Sequence, residues 1–266
     1  MTTMAKLEGL EALILDAGAR FSAQETLVEL ATVLESLHAD GAEARDHQRC
    51  LHLIHLVNYK IDRFEEAFDY GYRALTAFPE IRHLSPNATL MFPYRMGECC
   101  LRLDHFEDAI PYYERTLNAL NLQSPEESDA KLGTLEKIGY CLHHAGRSEE
   151  ALEVNRGLLL RAEAFFGPMD PTLASVLTNL AANTFDTGDF ASALAYLERG
   201  YEICAQLPEQ AFEFLFQLGA LCVERGDREK AMEWFQRQLA IAEYIESPDH
   251  IEEAWRNLEM LKAGAA

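Results

Sequence analysis

Apolar residues recur at intervals of three and four through much of the chain, as in AFDYGYRALTAF, AIPYYERTLNAL, ALEVNRGLLLRA, ALAYLERGYEI and AMEWFQRQLAIA. That spacing lays them along one stripe of a helix. No stretch alternates convincingly with period two, so helices and no sheet are predicted. Each of these stretches begins in a segment of one pattern: KIDRFEEAF (60–68), RLDHFEDAI (102–110), HAGRSEEAL (144–152), DTGDFASAL (186–194) and ERGDREKAM (224–232). The segments align without gaps on Ala67, Ala109, Ala151, Ala193 and Ala231, which are 42, 42, 42 and 38 residues apart. Upstream of each, at a fixed offset, stand Ile54-His55, Met96-Gly97, Ile138-Gly139, Leu180-Ala181 and Leu218-Gly219, where a small residue lets a neighbouring helix approach. The predicted unit is helix, tight turn, helix, with the alanine where the second helix crosses the first; a larger side chain there would cost about 1–3 kcal/mol.

Helix starts are signalled between the units by Ser85-Pro86-Asn87, Ser124-Pro125-Glu126-Glu127, Asp170-Pro171 and Pro248-Asp249 with Glu252. Ser124 and Glu127 have the spacing of a capping box, with Pro125 at the first helical position. Five units are expected over 44–247, at about 44–84, 85–123, 124–168, 169–207 and 208–247. Residues 1–43 read either as a helical cap or as a degenerate sixth unit, through Gly18 and Ala23. Residues 248–266 read as one capping helix, polar on one face.

Leu, Ile or Met before Gly or Ala, then Gly or Asp at the turn, Phe opening the second helix and Ala three residues on, resembles the tetratricopeptide repeat. The 42-residue period, clearest in FGPMDPTLASVLTNLAANTFDTGDFASALAYLERGYEI, is similar to the longer variety found in kinesin light chains and many bacterial repeat proteins. The resemblance covers about 44–245 and implies an all-α, right-handed α-solenoid of helix-turn-helix repeats. Three positions depart from the pattern: Gly71 and Asn155 stand where a bulky apolar residue is usual, and His55 where a small one is.

The period also settles how Asp-Thr-Gly at 186–188 is to be read. Aspartic proteases need two such tripeptides on strand-borne loops so that paired carboxylates share a proton. One is present, between two predicted helices, and the equivalent positions hold Lys60, Arg102, His144 and Glu224. Asp186 is expected in a turn. No phosphate-binding glycine loop, nucleophile elbow or His-Glu-x-x-His motif occurs, so no catalyst, cofactor or metal site is expected. With 48% hydrophobic residues the chain can bury a core, and 23 Lys and Arg against 44 Asp and Glu give a formal charge of −21. Such an acidic surface repels phosphate backbones and anionic lipid, making nucleic acid and membrane poor partners. Six cysteines without Cys-x-x-Cys spacing, and no secretory segment or long apolar run, lead to buried thiols and a cytoplasmic location as the expectation.

The resemblance implies a concave groove built from first helices that takes peptides or partner segments. Its wall would carry Arg49, His52, Leu56, Tyr59 and Lys60, then Tyr94, Arg95, Glu98 and Arg102. Glu136, Lys137, Tyr140, His143 and His144 follow in the third unit, Thr178, Asn179, Phe185 and Asp186 in the fourth, and Glu213, Phe216, Gln217 and Glu224 in the fifth. Asn179 occupies a position whose asparagine commonly holds a peptide backbone in this family. The first three units offer five bases against Glu98 and Glu136, so an acidic peptide steered by bases and anchored by aromatics is expected. The competing reading is that these bases balance nearby carboxylates. The clamp by which some co-chaperones hold carboxyl-terminal tails would fall on His52, Leu56, Arg95, Gly133 and Lys137, without either required asparagine, so it is not expected. The function implied is a non-catalytic adaptor, scaffold or peptide-responsive regulator. The alternative is a structural protein that self-associates into a homo-oligomer.

Overall fold

The computed structural model describes residues 2–16, 20–77, 86–123 and 128–263. The chain forms two compact units, Met1–Glu126 and Glu127–Ala266. The first contains α1 (Thr3–Leu15), α2 (Ala23–Ala39), α3 (Ala44–Lys60), α4 (Phe64–Ala77), α5 (Pro86–Arg102) and α6 (Phe106–Gln123). The second contains α7 (Asp129–His144), α8 (Ser148–Phe166), α9 (Ala174–Asp186), α10 (Phe190–Ile203), α11 (Pro208–Glu224), α12 (Arg228–Tyr244) and α13 (Pro248–Ala263). Among the described residues there is no strand, and the fold is of the all-α helical-repeat solenoid class. Packing is most extensive inside the pairs α3/α4, α5/α6, α7/α8, α9/α10 and α11/α12, the five predicted hairpins. The signals at Gly18, at Ser85 and at Ser124–Glu127 lie outside the described residues. Asp170 caps as expected, its Oδ1 accepting from Thr172 N at 2.9 Å before a 3-10 turn at Pro171–Leu173.

The five hairpin turns share one hydrogen-bond scheme. Arg63, His105, Arg147, Asp189 and Asp227 donate their N–H to the carbonyls of Asn58, Cys100, Leu142, Thr184 and Cys222, at 3.0, 2.8, 2.9, 2.8 and 2.8 Å. Each closes the end of a first helix by the 6→1 bond of a Schellman motif, which requires a left-handed residue just before the donor. That residue is Asp62, Asp104, Gly146, Gly188 or Gly226, with φ of 58°, 58°, 77°, 82° and 76°. Aspartate, whose short side chain tolerates the left-handed region better than most, serves in the first two turns. Asp189 and Asp227 then start the second helices, accepting from Ser192 N at 3.1 Å and Lys230 N at 3.3 Å.

Beyond the turn, a pair of unequal side chains sets how closely the hairpin shuts. Ala67, Ala109, Ala151, Ala193 and Ala231 are all buried at the crossings. A Cβ added to Gly97 would lie 2.9 Å from the Tyr113 ring, and Cβ atoms on Gly139 and Gly219 would collide with Asn155 and the Phe235 ring. The small residue of the first helix is thus filled by the large residue four places after the alanine. In α3/α4 the sizes are exchanged: His55 is the large member, and a Cβ on Gly71 would lie 2.9 Å from its Nδ1. His55 and Gly71 are therefore one compensated departure.

His55 donates from Nδ1 to Ala67 O at 2.8 Å, stacks on His52 with ring centroids 5.9 Å apart, and lies 5.0 Å from the Phe92 ring. Burial is the main force that pushes the pKa of His55 down to about 4 and that of His52 well below 6.5. Leu7, Leu10 and Ile14 of α1 share a core with Leu30, Val33 and Leu37 of α2 and Leu53, Ile54 and Val57 of α3. At the other end, Ala254, Leu258 and Leu261 bury one side of α13, while Trp255 and Met260 stay exposed. All six cysteines are free and buried, and burial pushes the thiols of Cys50 and Cys99 up to about 12.

Gly188→Ala is expected to lower the unfolding free energy by about 1 kcal/mol in urea titration, and Asp104→Gly to raise it by a similar amount. Both buried histidines stay neutral in the folded state while the unfolded chain protonates near 6.5. Stability is therefore full above pH 6.5 and is lost as pH falls from there toward 4. Between pH 7.5 and 5.5 the expected loss is about 1.4 kcal/mol per histidine, and His52→Phe should remove its own share of that loss.

Candidate functional site

In the first unit the predicted wall residues separate into several environments. Arg49 is paired with Glu11 of α1 and stands 3.6 Å from Asp46. Lys60 donates to Ile14 O at 2.8 Å, its ammonium 5.5 Å from the Phe21 ring. Both bases are thus engaged by the amino-terminal segment. Arg95 lies half-buried over Tyr59, 6.0 Å from its ring, and burial lowers its pKa. Arg102 lies 5.2 Å from the Phe64 ring, and Tyr94 packs edge-on to Tyr113 at 5.7 Å. The Tyr113 hydroxyl in turn donates to Glu98. His52 and Leu56 are corrections: at 4% and 3% exposure they sit in the core, because α1 and α2 cover one flank of α3 while Phe92 closes over His52 at 4.4 Å.

The second unit gathers its predicted residues around one depression. A cavity of about 400 Å³ is lined by His143, Thr178, Phe185, Asp186, Phe216, Gln217 and Glu224, with Ala181, Ala182, Leu197, Ala220 and Leu221 among its apolar surfaces. Alternate turns of α9 and α11 supply most of it, and the compact alanines of α9 leave the space. Phe185 is steadied edge-on by Phe190 at 5.2 Å. A second cavity of about 460 Å³ shares Phe216 and is otherwise lined by Asp249, Glu252, Glu253, Arg256, Asn257 and Met260 of α13. Those α13 residues were not predicted; the signal was the acidic run IEEAW beside Asp249, assigned to a solvated cap. Tyr140 and His144 face one another at 4.2 Å, and Lys137 is half-buried on the same helix. Asn179 is half-buried and does not line the first cavity.

A polar chain runs from the core to the rim of that cavity. Buried Asn155 donates to Asn183 Oδ1 at 2.8 Å, and Asn183 Nδ2 lies 3.0 Å from His143 Nδ1. The same His143 nitrogen is 3.2 Å from Asp186 Oδ2, which also accepts from Ser148 Oγ at 3.0 Å. One imidazole nitrogen either accepts from Asn183 or donates to Asp186, so the two contacts exclude each other at any instant. Ser148, Asp186 and His143 do not make a hydrolytic triad, in which histidine stands between the other two. Here the carboxylate stands between, and Ser148 makes no contact with the imidazole. Asp186 is the last residue of α9 and lies inside the turn closed by the bond from Asp189 N–H to Thr184 O. Among the described residues no group of three or more His, Cys, Asp or Glu is arranged to hold a metal, and no helix is long and apolar enough to cross a membrane.

Models of the tetratricopeptide repeat match residues 131–206 and 215–248. No curated protein sequence matches the chain. Among solved structures it is similar to BtubC (BKLC) from P. vanneervenii, with 17% identity, 93% of each chain covered and a TM-score of 0.62. It is similar also to nearly identical TPR-like repeats of kinesin-light-chain type from Podosopora anserina, with 13% identity, 76% of this chain and 95% of that one covered, and a TM-score of 0.54. A third is the Rap conjugation gene regulator of plasmid pLS20 in complex with the Phr* peptide, with 13% identity, 95% and 78% covered, and a TM-score of 0.52. Residues 131–206 and 215–248 are thus tetratricopeptide repeats, and the five Schellman turns and the similar structures give the chain the fold of a helical-repeat solenoid.

Proposed function

We propose that the protein is a non-catalytic, cytoplasmic peptide- or protein-binding module that serves as an adaptor, scaffold or peptide-responsive regulator. The observation that carries this reading is the cavity between α9 and α11, where Phe185 and Phe216 stand half-exposed on a rigid helical wall. Concave apolar surfaces with a few polar groups are where ligands bind, and aromatic side chains dominate binding energy at such places. A protein of similar fold holds the Phr* peptide, which supports the same use of helical repeats here. The organisation proposed is five repeats over 44–247, between a segment at 1–43 and a cap at 248–266.

A finer reading assigns an acidic segment to the first unit, where Arg95 over Tyr59 and Arg102 over Phe64 present cations on aromatic supports. Arg49 and Lys60 contribute less to it, being engaged by α1. The second reading of the whole protein, self-association, is favoured by Trp255 and Met260, 45% and 60% exposed on the last helix.

Affinity capture from cell extract with the full chain and with Phe185→Ala/Phe216→Ala, compared by quantitative mass spectrometry, tests the main reading. A set of proteins retained by the full chain and lost from the variant is expected. An identical set from both would overturn the assignment of the cavity. In the same preparations light scattering is expected to give 30.0 kDa at every concentration, whereas a mass that rises would establish self-association. For an acidic partner so captured, Arg95→Glu should weaken binding several-fold at low salt without loss of helicity.

A further inference from the structure

The two cavities of the second unit lie on either side of Phe216, whose side chain lines both. They follow one another along α9, α11 and α13, the first with a mainly apolar floor and both bordered mainly by carboxylates. Asp186 and Glu224 border the first cavity; Asp249, Glu252 and Glu253 border the second. Arg256 answers Glu252 at 3.0 Å, and His143 rests against Asp186. The remaining acids are at the surface, where a carboxylate keeps its hydration until a cation arrives. This arrangement attracts cationic groups and repels anionic ones, while the floor rewards burial of an apolar side chain.

We propose that this face of the second unit takes a basic peptide segment, seating a large apolar side chain between Phe185 and Phe216 and placing Lys or Arg beside Glu224, Asp249 and Glu253. The inference rests on the reading of the helical wall as a peptide-binding surface and specifies the chemistry of its occupant. It differs in sign from the acidic segment assigned to the first unit, because each unit carries its own rim. Specificity arises from two terms acting on neighbouring residues of the ligand. An apolar peptide without cations gains only the floor, and an acidic one meets like charge at the rim.

Three fluorescein-labelled nonapeptides with Phe at every third position, and otherwise Lys, Glu or Gln, test this by fluorescence polarisation on the full chain. The Lys peptide is expected to bind about tenfold more tightly than the Gln peptide at low salt, with the Glu peptide weakest and the difference shrinking at high salt. Glu224→Gln/Glu253→Gln should remove most of that preference, and Phe216→Ala should weaken the Lys and Gln peptides alike. Glu229→Gln/Glu233→Gln on exposed α12 removes the same charge elsewhere and should leave the preference unchanged. If the Gln peptide binds as well as the Lys peptide, and Phe216→Ala weakens both, the wall binds peptides but the basic preference is wrong. If the α12 variant loses as much preference as the rim variant, net charge rather than this face is responsible, and the proposal falls. If no peptide binds, or binding ignores Phe216→Ala, the reading of the wall fails with it.

Discussion

Four of the five helix pairs close on a contact between side chains of unequal size: Gly97 under Tyr113, Gly139 under Asn155, Gly219 under Phe235, and His55 over Gly71. In those four one partner has no Cβ to obstruct the other, and in all five the buried alanine keeps the axes close. The Schellman turn feeds the chain into this crossing at a fixed angle, so turn and crossing are one device repeated five times. Everything functional is mounted on it. On α9 and α11 that packing leaves Thr178, Phe185, Phe216 and Gln217 along the cavity.

The Asn155 crossing shows how that device can be put to a second use. An asparagine buried where a bulky apolar side chain would fill the same space must find partners or pay for desolvation. Its amide finds Asn183, and the chain of contacts continues through His143 to Asp186 at the cavity rim. Its Oδ1, pressed against Gly139, has no hydrogen-bond partner among the described residues. The core of this repeat is therefore held partly by polar contacts that emerge at the cavity rim, whereas the α11/α12 crossing is closed by the apolar Phe235 ring.

Helix type, the five hairpins and the turn positions were legible in the sequence because they rest on local chemistry: apolar spacing, left-handed residues and small residues at crossings. Even the Asp-Thr-Gly tripeptide gave way to the period around it. The exchange of sizes between His55 and Gly71 was visible as two separate departures, since their adjacency is a tertiary fact. His52 was assigned to an open wall because periodicity reports which face a residue occupies without reporting what covers that face. Covering of α3 by α1 and α2 depends on segments outside the regular repeat, and that of His52 on Phe92 from the next repeat. Phe185 and Phe216, which the period puts on first helices, line the cavity, whereas the acids of α13 were not singled out, because a terminal helix resembles a solvated cap until Phe216 is seen to share a cavity with it.

The claim that most needs testing is that the open faces of the first helices, and not the second helices, receive partners. Hydrogen exchange of the full chain with and without a saturating captured partner or the Lys nonapeptide addresses it residue by residue. Slowed exchange is expected at the exposed ends of α9, α11 and α13 and in the turns that follow them, with α8, α10 and α12 unchanged. Protection concentrated on α8, α10 or α12, with α9 and α11 unaltered, would contradict it.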